Sequence, residues 1–156
     1  MATYEQVAKL TVATAMEGVR VRQKIAYTQG GTRWSGIDRH IKGPSQPPAA
    51  DCSSYTTWLA WQSRIRLRKG AGTDVINGLR WQRGNTATQI TKGKRHRLGV
   101  NGWIPGRTLV FYGHPVHHVA LYVGHGRVVS HGSNPGPLYL PWNYRGDFNH
   151  ARAYKI

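Results

Sequence analysis

Apolar positions recur at helical spacing near the start of the chain. Thr3 and Gln6 make a capping-box pattern, Val7, Leu10 and Thr14 fall near one stripe, and Gly18 can end the run, which predicts a helix over residues 3–18. Val21–Tyr27 alternates loosely and is expected to be extended. From Gln29 to Ala50 the pattern gives way to Gly, Pro and Ser, with Pro44, Pro47 and Pro48 close together, the composition of a loop. This segment runs straight into the next helical pattern, so it is expected to form one rim of a groove and not an interdomain linker. That next helix opens at Asp51, a good N-cap, and turns Tyr55, Trp58, Leu59 and Gln62 inward. It should run to about Leu67 and end by Gly70, with a shorter third helix over Thr73–Trp81. Residues 83–102 are polar, basic and broken by Gly, as expected of a solvated connection.

The second half changes period. Thr108–Tyr112 and Val119–Val123 are apolar runs of strand length, and Gly124-His125-Gly126 forms a tight turn into a third run, Arg127–Val129. A Pro- and Gly-containing stretch follows from Asn134 to Pro141. Ala151–Ile156 closes the chain as a strand whose basic residues suit an exposed edge. Helices first and then a meander of strands predict an α+β fold, and 156 residues fit one domain spanning 1–156.

Charge adds a second constraint. The chain carries 22 Lys plus Arg against six Asp plus Glu, a formal net charge of +16, with six Trp and eight Tyr but only two Phe. Such a field attracts polyanions: nucleic acid, acidic membrane and anionic wall polymers all qualify. One cysteine excludes an intramolecular disulfide. Met1–Gln6 lack the basic-then-apolar pattern of a secretory signal, and no run approaches the roughly 18 apolar residues of a membrane span. Synthesis in a cytoplasm without a signal peptide is therefore expected, with release by another agent before any action outside.

The chemistry concentrates at Cys52. It follows a probable N-cap, where unpaired backbone N–H groups favour a thiolate and can hold the oxyanion that forms when sulfur attacks a carbonyl. Polar Ser53 and Ser54 argue against plain core packing there, although a buried structural thiol is the competing reading. A catalytic cysteine needs a base and the base an orienting partner. His118 begins a strand and His131 follows the next, so the two can lie side by side. His114, His117 and His118 would suit zinc by type, but their spacing is not that of a helical pair, Pro115 interrupts it and no carboxylate is near. Neither a metal nor another cofactor is expected.

Four segments then fit one pattern in order. Tyr27 in Ala26–Gly31, Asp51-Cys52-Ser53-Ser54-Tyr55, Gly106–Tyr112 and His118-Val119-Ala120-Leu121-Tyr122-Val123-Gly124 resemble the NlpC/P60 family of cell-wall cysteine peptidases, over roughly Tyr27 to Gly132. The resemblance implies a papain-like α+β fold with N-terminal helices packed on an antiparallel sheet. It also implies hydrolysis of peptidoglycan stem peptides, often between D-glutamate and the diamino acid. Cys52 would attack, His118 would be the base and His131 the third member. Tyr27 would lie beside the nucleophile and, with Ser53, serve substrate binding.

The chain departs from the family at three places. Arg107 replaces the usual acid before the central strand, and Ser54 stands where Gly is frequent. His131 lies one residue further from His118 than the family's third residue, which turns it to the wrong face unless a bulge intervenes and leaves Ser130 as the fallback. The family and the missing signal together imply a phage endolysin acting on peptidoglycan and anionic wall polymers. The alternatives are an amidase of the same fold and a basic nucleic-acid-binding module using Lys92–Arg97 and the tryptophans.

Overall fold

The computed structural model describes residues 2–34, 37, 46–67 and 84–154. The first helix, α1 (Tyr4–Arg20), starts at Thr3, whose hydroxyl accepts from the Gln6 N–H while the Gln6 side chain reaches back, the capping box read from the sequence. A short 3-10 turn over Arg22–Lys24 replaces most of the extended segment expected from Val21, and β1 (Ala26–Tyr27) follows. It pairs in parallel with β2 (Ala49–Ala50), within the stretch expected to be loop. Residues 35, 36 and 38–45 of the expected groove rim, and the third helix expected over Thr73–Trp81, lie outside the described residues.

The second helix, α2 (Cys52–Arg66), sits at the centre of the molecule, with every residue from Cys52 to Ser63 buried. The sequence suggested one inward face; its other faces are closed by hydroxyls that satisfy themselves. Thr56 and Thr57 donate to the Ser53 carbonyl at 3.0 and 2.9 Å, and Ser63 donates to Leu59 at 2.8 Å. Gln62 donates to the Thr14 hydroxyl of α1 at 2.9 Å, so the polar groups cost little to bury. The two helices touch closely at Gly18, where an added Cβ would fall 1.8 Å from the Tyr55 hydroxyl oxygen.

Beyond α2 come α3 (Thr86–Gln89) and β3 (Lys94–Arg95), so part of the supposed solvated connection is ordered structure. Gln89 explains why: it is fully buried, and its side-chain amide donates to the Ser53 carbonyl of α2 at 3.1 Å. The main sheet then forms from β4 (Thr108–Tyr112), β5 (His118–Gly124), β6 (Arg127–Ser130), β7 (Leu138–Pro141) and β8 (Phe148–Ala153). Its order is β3-β8-β4-β5-β6-β7, antiparallel throughout. Two expectations are corrected here. The Pro- and Gly-containing stretch contains β7, and the closing strand lies between β3 and β4 and is no edge. Arg152, one of the residues that suggested an edge, turns its guanidinium sideways onto the carbonyls of Lys92 and Gly93.

Side-chain alternation splits the sheet between two cores. Leu109, Phe111, Val119, Leu121 and Val129 pack under the helices; Val110, Tyr112, Ala120, Tyr122 and Val128 pack on the other face with Trp103. Among the described residues no helix is long and apolar enough to cross a membrane.

Candidate active site

Cys52 is the first residue of α2 and meets the sheet at the start of β5. Asp51 caps the helix: its carboxylate accepts from the Ser54 N–H at 2.8 Å and the Ser53 hydroxyl at 3.0 Å, and it lies 3.6 Å from the Arg33 guanidinium. The thiol is buried, which pushes its pKa up to about 11, and the Asp51 charge adds to the rise. The backbone N–H groups of Val119, Ser53 and Cys52 itself oppose this, and Val119 is the residue after His118. The strand that carries His118 therefore presses against the sulfur.

His118 occupies the first position of β5 and is 5 % exposed. Its Nε2 lies 2.8 Å from the Ser130 hydroxyl and 3.0 Å from the Tyr144 hydroxyl, which are themselves 2.9 Å apart. With Nε2 held in this triangle, Nδ1 is the ring nitrogen left for another partner. The ring lies against Gly132, where a Cβ would approach its Cε1 to 3.0 Å. Burial, then the positive field of Arg145, lowers its pKa to about 4. Arg145 is itself fixed by a two-pronged pair with Asp147, at 2.8 and 2.7 Å, over the ring of Tyr112.

The expected third member is placed elsewhere. Leu121 pairs with Val129 and Tyr122 with Val128, a register that puts Ser130 on the face of His118 and turns His131 to the opposite one. No bulge at this end of β6 reverses the parity. The His131 Nε2–H donates instead to the Ala26 carbonyl at 3.1 Å, and its ring sits edge-on to Tyr27 and Tyr55 at 5.6 and 5.4 Å. These contacts brace β1.

Burial raises the Tyr27 phenol pKa, and the ring lies close enough to Cys52 that an ionised sulfur would add to the rise. Its hydroxyl accepts from Gln29 at 2.9 Å, and Asn134 accepts from its backbone N–H at 2.7 Å. Ser53 is 3 % exposed and its hydroxyl is committed to Asp51, so what it offers the site is its backbone N–H. Of the other histidines, His114 contacts the Asn149 side chain and His117 the Arg145 guanidinium. Among the described residues no group of three or more His, Cys, Asp or Glu could hold a metal ion.

Sequence reasoning missed Tyr144, Arg145 and Asp147. They occupy the turn between β7 and β8, 26 residues from His118 for Tyr144, and no local pattern announces them. The opposite charges two apart in Arg145-Gly146-Asp147 were the one available sign of a local ion pair.

No protein-family model matches the sequence, and no curated protein matches it. Solved structures do. An NlpC/P60 family protein from Bacillus cereus superposes with a TM-score of 0.63 at 19 % identity, covering 96 % of this chain and 40 % of the other. NlpC1 from Trichomonas vaginalis gives 0.59 at 18 %, covering 97 % and 44 %. The NlpC/p60 domain of the peptidoglycan hydrolase SagA gives 0.57 at 19 %, covering 94 % and 97 %. The chain thus spans less than half the length of the first two and nearly all of the third.

Proposed function

From its NlpC/P60 fold, and from a cysteine at the start of α2 whose sulfur lies against the backbone N–H of Val119, the residue after His118 at the start of β5, we propose that this protein is a cysteine hydrolase of peptidoglycan acting as a single catalytic domain. One observation carries the reading: Cys52 opens a buried helix with the Val119 N–H against its sulfur, while His118 is clamped through Nε2 by Ser130 and Tyr144.

The chemistry follows from burial. Both charged forms, thiolate and imidazolium, are penalised by burial, so the resting pair is a thiol and a neutral imidazole. As sulfur attacks the scissile carbonyl carbon, the thiol proton passes to His118 Nδ1, and the N–H groups at the start of α2 stabilise the oxyanion. The imidazolium then protonates the leaving amine and a thioester remains. Water, giving its proton to His118, attacks the thioester and frees the acid and the thiol. Ser130 and Tyr144 fix the plane of the ring throughout, the role first assigned to His131. Tyr27 flanks the reacting carbonyl.

The finer reading, a phage lysin that cuts D-glutamyl–diamino acid bonds of stem peptides, rests on the sequence resemblance. Mass spectrometry of digested walls tests it. New amino termini on the diamino acid are expected. Release of whole stems would make the enzyme an amidase, and an undigested wall would contradict both.

A further inference from the structure

The short strand β3 covers β8 only at Arg152 and Ala153, and the His96 N–H closes the Ala151 carbonyl. Beyond that point the chain turns away through residues 97–102 and leaves a cleft of about 450 Å³ along the rest of β8. Among the described residues its lining contains no carboxylate. Arg95 and Arg97 stand exposed at its margin, and Trp103, Trp142 and Phe148 form its wall.

Two buried polar atoms border this cleft without a partner, Trp103 Nε1 on the Tyr112 face of the sheet and His150 Nε2 on the Phe111 face, where its ring stacks on Phe111 at 5.1 Å. The Asn149 side-chain oxygen accepts from His150 Nδ1 at 2.9 Å, which leaves His150 Nε2 as a bare acceptor; Trp103 Nε1–H is a donor. A hydroxyl can satisfy either. The arginines call for an anion. Successive ring contacts also join the cleft to the base, from Trp142 to Phe148 at 5.1 Å, Phe148 to Tyr112 at 6.4 Å and Tyr112 to His118 at 5.7 Å.

We propose that this cleft is an accessory site for a phosphodiester-linked polyol or sugar polymer of the cell wall. Phosphates meet Arg95 and Arg97, and hydroxyls of the repeating unit meet Trp103 in the aromatic wall. A nucleic acid fits less well, since base stacking needs open ring faces. Trp103 has little surface left, with Tyr122 and Trp142 packed edge-on at 5.5 and 5.4 Å. The proposal rests on the wall-hydrolase reading for its choice of polymer and gives the chain's positive charge a specific address.

The test uses the full chain in a Cys52→Ala background, so that binding is read without digestion. Co-sedimentation is measured with Gram-positive walls before and after hydrofluoric acid removes their phosphodiester polymers. Arg95→Ala/Arg97→Ala should weaken binding to untreated walls about tenfold, the scale of two exposed charge contacts. Arg22→Ala/Lys24→Ala, which removes the same charge elsewhere, should stay within about twofold of the parent. On stripped walls all three should bind alike, and poly(glycerol phosphate) should compete on untreated ones. Single Arg95→Gln and Arg97→Gln variants, each giving part of the loss, guard against a folding defect. Equal losses from both double variants, unchanged binding by the cleft variant, or stronger competition by single-stranded DNA at equal phosphate would overturn the proposal. Hydrolysis by the unmodified chain is scored separately, so an inactive protein that passes these tests counts against the catalytic reading alone.

Discussion

At the scale of single residues, the base and its supports give the sharpest expectations. Ser130→Ala or Tyr144→Phe frees one side of the His118 ring and should lower kcat by about 10- to 100-fold with little change in KM, within the range that a positioned base contributes. His131→Gln should leave kcat nearly intact and lower Tm, because that ring braces β1. The reverse pattern in paired kinetic and melting measurements would restore His131 as the orienter. Arg145 holds the His118 pKa down, so Arg145→Gln should move the acid limb of kcat/KM upward from about pH 4, a shift a pH–rate profile reads directly. Cys52 and His118 stand out in the sequence as candidates because each lies in a short contiguous motif. Between His131 and its fallback Ser130 the sequence left the choice open, because it depends on strand register. One residue of spacing separates Ser130 from His131 and decides which face each takes, and Tyr144 arrives from a turn with no signature of its own.

Elements were legible where their period is long and their caps are explicit. The capping box of α1, the Asp51 N-cap of α2 and the apolar runs of β4, β5 and β6 all stand as expected. β3 is two residues long and β7 lies in a Pro- and Gly-containing stretch, so both exist through pairing with neighbours and not through pattern. Asp51 joins element to chemistry, since it caps α2 and also raises the Cys52 pKa. Asp51→Ala should cost about 1 kcal/mol of stability, visible as a lower Tm. Asp51→Asn keeps the cap and removes the charge. It should leave Tm close to wild type while Cys52 reacts faster with iodoacetamide at pH 8. Equal alkylation rates in wild type and Asp51→Asn would show that the carboxylate does not govern the thiol.

For the whole molecule, burial sets the response to pH. His118 and His150 both fall from 6.5 to about 4 on folding, so between those values the unfolded chain binds more protons than the folded one. Stability is complete above pH 6.5 and is lost as pH falls towards 4, and Tm measured across that window should decline. Replacing His118 with Gln should flatten the slope. The net charge of +16 should make wall binding weaken with added salt, as exposed charge pairs do. The central claim, that Cys52 breaks bonds in the wall, meets its most direct test in the turbidity of a peptidoglycan suspension treated with wild type and with Cys52→Ala. Wild type should clear the suspension and the variant should leave it turbid; equal clearing by the two would contradict the account.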